Sequence, residues 1–588
     1  MRAGLLAEGV VGGARAPLDR GALLQLLGLG LAGVVGLGAL LAVLALWTGS
    51  GAADGVDAAT GTVTLALSEE PPQLDATRTT DQVSGRILGH VMEGLLRYDA
   101  RNRLVPGVAE SWEIGETSAS FRLRADAVWS NGESVTAHDF IFAWQKALDP
   151  ANASQYAFIL YPLKNGEAIN RGQLPPSALA ARADGDRTLV VELERPVPYF
   201  AKLLAFPTYF PINEAFYRSR EGRYAADAED LLYNGPFTIA RWVHGASVRL
   251  EKNLGYWNAD AIRLNAIDYA YITSDANASL NFYKDGKIAM TALNSENLRD
   301  ALQNRWNIRR FADGSVFFME FNFREGRLTG NWHLRRALQL VNDPAELVYK
   351  VIKVPGNLPG ESLFPVWLKG VRGYFRQEYP APTTRVNEAE ARRHLELAKE
   401  ELGLTEMPPL VMLTGDSDSA NKQSEYYQNV FKRRLGLDIK IDRQIFKQRL
   451  AKMTSGEFDI VMAGWGPDYD DPMTFGDLFA SWNENNRGRY ANAELDAAVD
   501  TARSSMDPKV RMDAMAEVQR ILHEDAVLLV NYERGSVYVA NPQLKGVVRR
   551  AVGTDPDFTH AWIEAPGQPS DLAATEHPPA EAEGPAGA

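Results

Sequence analysis

Residues 410–472 decide the fold and read LVMLTGDSDSANKQSEYYQNVFKRRLGLDIKIDRQIFKQRLAKMTSGEFDIVMAGWGPDYDDP. Three apolar runs predict strands and two amphipathic segments between them predict helices, in the order 410–413, 420–435, 439–441, 446–453 and 458–462. Gly436, directly after the first helix, is typical of a helix C-terminus. Strands joined by crossover helices pair in parallel with right-handed connections, so the segment predicts an α/β fold.

The loop at 463–472 follows the last of these strands, where ligands of open α/β sheets bind. Glycines on both sides of Trp465 allow backbone to approach a ligand closely. Trp465 and Tyr469 offer aromatic faces, and three aspartates concentrate negative charge. Beside exposed carbonyls, such a carboxylate suits a ligand ammonium. Composition alone leaves three other interpretations open: a surface turn, a calcium loop without EF-hand spacing, and an acid–base pair without further catalytic residues nearby.

Length and composition describe an exported, folded chain of several lobes. Its 588 residues exceed what one core usually serves, and 45% hydrophobic with 23% charged residues is typical of soluble proteins. The formal net charge of −13 argues against nucleic acid as the main partner.

The chain has no cysteine, so disulfides, thiolate metal sites, a cysteine nucleophile and a lipid-modified N-terminal Cys are excluded. The HExxH, Walker and GxSxG patterns are absent from its sequence. We predict no cofactor, no metal site and no catalytic residues.

The N-terminal segment predicts export. Residues 21–47 are apolar except for Gln25, long enough to span the bilayer with some tilt. Arginines precede the segment, so residues 1–20 are predicted to be cytoplasmic and the chain after the linker 48–61 extracytoplasmic. The alternative to this transmembrane anchor is a cleaved signal peptide. At the other end, residues 566–588 are mostly Pro, Ala, Glu and Gly and predict a disordered tail.

An ordered series of short motifs resembles the family 5 solute-binding proteins, the oligopeptide and dipeptide receptors of ATP-driven importers. The series covers roughly residues 62–564 and comprises PGVAESW (106–112), FRLR (121–124), WSNGESVTAHDF (129–140), YF (199–200), FP (206–207), NGPF (234–237), YWN (256–258), FN (321–322), AGW (463–465), DY (468–469) and DP (471–472).

The resemblance implies a two-lobed periplasmic-binding-protein type II fold with three domains. Lobe one would cover 62–316, with an inserted domain near 92–208, and lobe two would cover 317–532. Residues 533–565 would return into lobe one, and 317–322 would act as a hinge. Closure of the lobes would hold the ligand in a cleft of low dielectric.

The same resemblance implies a set of binding residues. Asp468 matches an aspartate that pairs with the peptide α-ammonium, with the Gly466 carbonyl and Tyr156 beside it. The remaining predicted contacts are aromatic walls or backbone partners: Phe446 in place of a cleft tryptophan, Trp465, Tyr469, Tyr532 at the return crossing, and Gln82 in a segment that offers main-chain hydrogen bonds in the manner of strand addition.

The chain departs from the family where oligopeptide receptors place basic side chains for the ligand carboxylate. Those positions carry Met453, Thr454 and Met462. Because a buried carboxylate without a cation is costly, a ligand with an uncharged far end is one possibility. Arg443 or Arg449 as a replacement charge is the other.

We therefore expect a monomeric extracytoplasmic receptor that passes peptides to ABC permease subunits and is held at the membrane by its N-terminal helix. Alternatives from other classes are a receptor of the same fold for a sugar, metal chelate or haem, and an exported hydrolase. A tethered receptor of this kind would also suit a sensing role.

Overall fold

The computed structural model describes residues 54–564, which form one unit. The predicted anchor at 21–47, the cytoplasmic segment 1–20 and the tail 566–588 lie outside the described residues. Among the helices of residues 54–564, none combines the length and apolar character needed to cross a bilayer.

A five-stranded sheet is built from the first half of the chain. Its strands lie in the order Val56–Asp57, Thr62–Leu67, Ala266–Ile272, Ser247–Lys252 and Phe237–Val243. Thr62–Leu67 and Ala266–Ile272 pair in parallel, and the other pairs are antiparallel. Thr62–Leu67 is the strand that the alternating pattern at 62–67 suggests.

An antiparallel four-stranded sheet follows in the chain. Its strands lie in the order Ala109–Ile114, Ser118–Leu123, Thr188–Glu192 and Ala181–Ala183. The helix Ala137–Leu148 begins with the capping box of Thr136 and Asp139. Its buried face, including Phe140 and Trp144, joins the same hydrophobic core as the five-stranded sheet.

The third sheet contains the segment that decides the fold. The strand order is Met290–Leu293, Leu528–Ala540, Arg309–Phe321, Ile460–Trp465, Leu410–Thr414 and Ile439–Arg443, with Leu358–Pro359 added to Leu528–Ala540. Leu410–Thr414 pairs in parallel with both of its neighbours, as the alternation of strands and helices predicts. The strand predicted at 458–462 runs instead from Ile460 to Trp465. Trp465 is therefore its last residue.

Helices cover this sheet and complete the core. The intervening helices are Asp418–Leu435 and Phe446–Ser455, and the first ends at Gly436 with a φ of 74°, as its sequence predicts. The other helices are Gln82–Val91, Gly166–Asn170, Phe200–Leu203, Glu214–Ser219, Ala276–Lys284, Leu298–Gln303, Trp332–Gln339, Pro344–Glu346, Phe375–Glu378, Glu388–Leu402, Met473–Gly476, Ala493–Ser504 and Pro508–Glu524. Tyr427 and Phe431 turn their rings into a core shared with Trp332–Gln339 and Glu388–Leu402, as their spacing predicts.

Two long strands lie side by side in the large sheet. Arg309–Phe321 and Leu528–Ala540 are 13 residues long each and pair antiparallel, and the register shifts between Ala312 and Val316 and again between Phe317 and Phe318. The ring of Phe317 on one strand stacks on that of Tyr532 on the other at 4.8 Å. Both residues line the cavity described next, so the pair of strands also forms part of its wall.

Candidate functional site

A cavity of about 820 Å³ lies at the carboxyl end of Ile460–Trp465. Its wall includes residues of the five-stranded sheet, such as Leu65, and of the large sheet, such as Phe317. The volume falls within the range of ligand-binding clefts. Seven of the eight residues predicted from the sequence line it: Gln82, Tyr156, Phe446, Trp465, Gly466, Asp468 and Tyr532.

Asp468 is a carboxylate that the structure leaves without a cation. Tyr156 Oη donates a hydrogen bond to its Oδ1 at 3.0 Å. Burial raises the pKa of Asp468 well above its ordinary value, the Tyr156 hydrogen bond lowers it, and the nearby Asp477 carboxyl raises it further. Within residues 54–564 no lysine or arginine contacts this carboxylate, so its ionised form is unfavourable unless a cation binds beside it.

Thr474 fixes the loop that presents Asp468. Its Oγ1 accepts a hydrogen bond from the Asp468 backbone N–H at 2.9 Å, and its carbonyl accepts one from Trp465 Nε1 at 2.7 Å. The sequence analysis missed Thr474, which lies in the short helix Met473–Gly476. A threonine directly after a turn is too common to attract attention, and only the fold brings both contacts to one residue.

Aromatic rings surround the same end of the cavity. The ring of Tyr156 lies 6.1 Å from that of Trp465 and 5.2 Å from that of Phe206. The structure adds Phe206 to the predicted set, since it also lines the cavity. Flat apolar surfaces of this kind exclude water from the carboxylate and favour a tight contact with a cationic guest.

Gly466 lies close to the end of the Gln82 side chain in the cavity wall. A Cβ at this position would meet Gln82 Nε2 at 2.0 Å. Gln82 Oε1 in turn accepts a hydrogen bond from Arg534 Nη2 at 3.3 Å. The Gln82 side chain therefore lies between Gly466 and Arg534.

The prediction that Gln82 and its neighbours offer main-chain hydrogen bonds in the manner of strand addition stays a prediction. Gln82 is the first residue of the helix Gln82–Val91, because Asp81 caps that helix by accepting a hydrogen bond from the Ser84 backbone N–H at 2.8 Å. The amphipathic pattern of residues 82–96 predicts a longer helix than the structure contains. Met92 is extended, and residues from Leu96 onward form a strand.

Tyr469, unlike the other seven predicted residues, does not line the cavity. Its side chain is buried, and its ring stacks on that of Tyr199 at 5.3 Å instead of lining the cavity. The backbone bends at residues 468–471. With Asp468 facing the cavity, Tyr469 therefore enters the core.

The other two aspartates of the loop form ion pairs with side chains of the protein. Asp471 forms a buried ion pair with Arg511 at 2.6 Å, and Asp470 pairs with Lys202 at 3.3 Å near the surface. Only Asp468 of the three lines the cavity. Residues 54–564 contain no cluster of histidine and acidic side chains arranged for a metal ion.

Of the two arginines considered as replacement cations, the structure brings one to the cavity. Arg449 lines it together with Met453 and Met462. Arg443 does not line it, and its guanidinium donates to Glu425 at 2.7 Å. Thr454 accepts a hydrogen bond from Arg487, a cavity arginine that the sequence analysis also missed.

The fold and its cavity define a solute-binding protein, and comparison with known proteins gives the family. The family model of bacterial extracellular solute-binding proteins, family 5 Middle, matches residues 103–487. This chain belongs to that family. It is 30% identical over 507 residues to the oligopeptide-binding protein OppA of Bacillus subtilis (strain 168), covering 84% of this chain and 91% of the relative.

Solved structures agree with this assignment. The substrate-binding domain of an oligopeptide ABC transporter from Bacillus anthracis str. Ames superposes with a TM-score of 0.83 at 33% identity, covering 86% of this chain and 99% of that one. Listeria monocytogenes OppA bound to peptide gives a TM-score of 0.81 at 29% identity, again with 86% and 99% covered. The mixed α/β fold predicted from the sequence is confirmed.

Proposed function

We propose that this chain is the extracytoplasmic substrate-binding component of an ABC importer, and that it captures peptides through their α-ammonium group. The observation that carries the proposal is the Asp468 carboxylate, which lines the cavity and has Tyr156 as its hydrogen-bond donor. An ammonium group would neutralise it and make a charge-assisted hydrogen bond. The OppA relatives, one of them bound to peptide, support the ligand class.

Two lobes, 62–316 with 533–565 and 317–532, would close over the ligand around the strands Arg309–Phe321 and Leu528–Ala540. Several polar contacts join residues of the proposed lobes and suit a closed state. Besides Tyr156 with Asp468, Gln155 Nε2 donates to Thr454 Oγ1 at 3.1 Å, and Lys202 pairs with Asp470. Polar contacts of this kind exchange readily with water, which suits a reversible closure.

The receptor would act as a binding protein without catalysis, as a monomer, outside the cytoplasm. Its partners would be the peptide, the permease subunits of the importer and, through residues 21–47, the membrane. The peptide would remain unchanged in the cleft until the permease accepts it.

Calorimetry with matched peptides tests the proposal. The full chain, freed of co-purified ligand by unfolding and refolding, is titrated with alanine peptides of two to five residues and with their N-acetylated forms. We expect at least one free peptide to bind, and acetylation to weaken its binding about 30-fold or more, because a charge partner of Asp468 is lost. Native mass spectrometry of the untreated protein should also detect a bound peptide. Failure of every peptide to bind, or equal binding of both forms, contradicts the proposal.

A further inference from the structure

The segment that carries Tyr156 is tied to the proposed second lobe next to the ammonium site, the pair of Tyr156 and Asp468. Tyr156 Oη donates to Asp468, and the preceding residue makes two further contacts with later parts of the chain. Gln155 Nε2 donates to Thr454 Oγ1 at 3.1 Å, and the Gln155 carbonyl accepts a hydrogen bond from Asn485 Nδ2 at 3.4 Å. Two neighbouring residues of the proposed first lobe therefore make three hydrogen bonds to the second.

Arg487 joins both partners of Gln155. Its Nη1 donates to Thr454 Oγ1 at 2.7 Å, and its Nη2 donates to Asn485 Oδ1 at 2.9 Å. Together with the two contacts of Gln155, these bonds close a ring of four residues. The donors of a guanidinium lie in one plane, so a single arginine holds two acceptors at a fixed spacing.

The surroundings of Arg487 keep it in place. Arg487 and Asn485 are only 6% and 4% exposed, and both line the cavity. The backbone beside the guanidinium is also held, because Arg324 Nη1 donates to the Arg487 carbonyl at 2.6 Å and the Gly488 N–H donates to Glu320. Burial lowers the pKa of Arg487, and the Glu320 carboxyl raises it. A buried group that is held in this way orients its neighbours without a further loss of conformational entropy when a ligand binds.

We infer that Arg487 is a positioning residue for the ammonium site. Through Thr454 and Asn485 it fixes the side chain and the backbone of Gln155. The next residue, Tyr156, is then held with its hydroxyl on the carboxylate of the site, ready for the ligand. The inference rests on the proposed peptide-binding function, and it assigns a residue that prepares the site instead of a further contact with the ligand.

Aromatic packing is the competing support of the same segment. The Tyr156 ring stacks on that of Phe158 at 5.6 Å, and the Phe158 ring lies 6.0 Å from that of Trp482. These contacts act on the rings, whereas the bonds of Gln155 act on the chain next to Tyr156. Substitutions can therefore separate the two supports. If packing alone places the hydroxyl, removal of the Arg487 guanidinium should leave peptide binding unchanged.

The main test is a double-mutant cycle by calorimetry on the full chain, with an alanine peptide that binds and with its N-acetylated form. Arg487→Gln should weaken binding of the free peptide about three- to fivefold, close to the value of the one hydrogen bond that it positions. The acetylated peptide should change by less than about twofold, because it makes no ion pair with the site. In Tyr156→Phe protein, the same Arg487→Gln should cost less than about 1.5-fold, because no hydroxyl is left to position.

A second variant tests the inference without removing a buried side chain. Thr454→Val deletes the hydroxyl that accepts from both Gln155 and Arg487, and Thr454 is exposed, so we expect the variant to fold. It should weaken the free peptide by a similar factor. Arg489→Gln is the matched control, since this exposed arginine pairs with Glu484 outside the cavity. It should bind as the wild type does.

Hydrogen–deuterium exchange of the ligand-free protein supplies a readout that does not depend on peptide. Amides in residues 153–161 should exchange at least about threefold faster in Arg487→Gln and in Thr454→Val than in wild type or Arg489→Gln. Arg487→Lys should give an intermediate rate, because an ammonium reaches one of the two acceptors and lacks the planar fork that holds both.

Three results would overturn the inference. The first is binding of the free peptide within about 1.5-fold of wild type in both Arg487→Gln and Thr454→Val. The second is an equal loss from Arg487→Gln with and without the Tyr156 hydroxyl. The third is a loss seen for the peptide acid and absent for its C-terminal amide, which would make Arg487 a direct ligand contact. In each case, sensitivity of wild-type protein to N-acetylation leaves the proposed function standing, whereas failure of every peptide to bind overturns both proposals.

Discussion

The two ends of the cavity each present a charged side chain, and the protein holds these two side chains by different numbers of contacts. At the Asp468 end, defined by Tyr156, Trp465, Asp468 and Thr474, two hydrogen bonds to Thr474 and one from Tyr156 hold the carboxylate in place. At the Arg449 end, the guanidinium has one weak contact at 3.4 Å. The first end is preorganised, whereas the guanidinium at the second end is weakly held by the protein.

This difference has a consequence for specificity. A preorganised charge loses little free energy to reordering when the ligand binds, so its removal should cost more than removal of a poorly held one. The amino end of a peptide has a constant geometry, while the position of its carboxylates changes with length and sequence. A rigid contact for the constant group suits a receptor of several peptides.

The largest effect is expected from the carboxylate itself. Asp468→Asn removes the negative charge and keeps the size of the side chain, so peptide affinity should fall by about 2–5 kcal/mol, or from about 30-fold to several thousand-fold. Calorimetry with the free peptide measures this loss. Asp513→Asn is the control, because Asp513 pairs with Lys509 of its own helix at the surface, outside the cavity, and its replacement should leave affinity within about twofold. A small loss at Asp468 would remove the contrast between the two ends.

The pH dependence of binding should follow the same carboxylate. Because burial raises the pKa of Asp468, lowering the pH protonates it in the ligand-free protein before an ordinary aspartic acid would respond. Affinity for the ammonium form of a peptide should then decrease as the pH falls, by up to about tenfold per unit below that pKa. Asp477 lies close by and has a pKa raised to about 8 by burial, so its charge also contributes.

Calorimetric titrations across acidic and neutral pH measure this dependence. Asp468→Asn should flatten the acidic limb, while Asp477→Asn should keep that limb and shift it to lower pH, because the Asp477 carboxyl raises the pKa of Asp468. An acidic limb that persists in Asp468→Asn would assign it to another group, such as Glu320 with a pKa raised to about 7 by burial.

A smaller effect is expected from the hydrogen bond that holds the carboxylate. Tyr156→Phe removes the hydroxyl that donates to Asp468 and keeps the ring against Trp465. One such hydrogen bond contributes about 1 kcal/mol, so affinity should fall about fivefold. Tyr161→Phe is the matched control, since its hydroxyl donates to Asn170 at 2.9 Å away from the cavity. Equal losses in both variants would indicate a general packing effect.

The smallest effect is on stability, and it should have the opposite sign. The pKa of Asp468 is higher in the folded protein than the value of about 3.9 expected in the unfolded chain. Its contribution to stability is therefore fully present below about pH 3.9 and is lost as the pH rises through the folded-state pKa. At neutral pH the ionised group is therefore unfavourable without ligand. Asp468→Asn should raise the free energy of unfolding of the ligand-free protein by about 1 kcal/mol, measured by urea denaturation. A decrease would show that Asp468 has a stabilising partner.

Much of the fold could be predicted because it depends on local patterns. The strands at 410–414 and 439–443 follow from apolar runs, and the helix that ends at Gly436 follows from periodicity and a glycine with positive φ. The lobe boundaries at 316 and 532 remain predictions. The long paired strands Arg309–Phe321 and Leu528–Ala540, separated by about two hundred residues, are long-range contacts that no local pattern contains.

By itself, the sequence determined which chemistry was present: an acidic, aromatic loop at 463–472, methionines where basic residues were expected, and an ordered set of motifs typical of one family. The tertiary structure alone decided which side chains use that chemistry. It turned Asp468 toward the cavity and Tyr469 into the core, and it set Arg449 in the wall while Arg443 paired with Glu425. The physical reason is that orientation depends on packing against residues distant in the chain, and burial then decides which charges lack a partner.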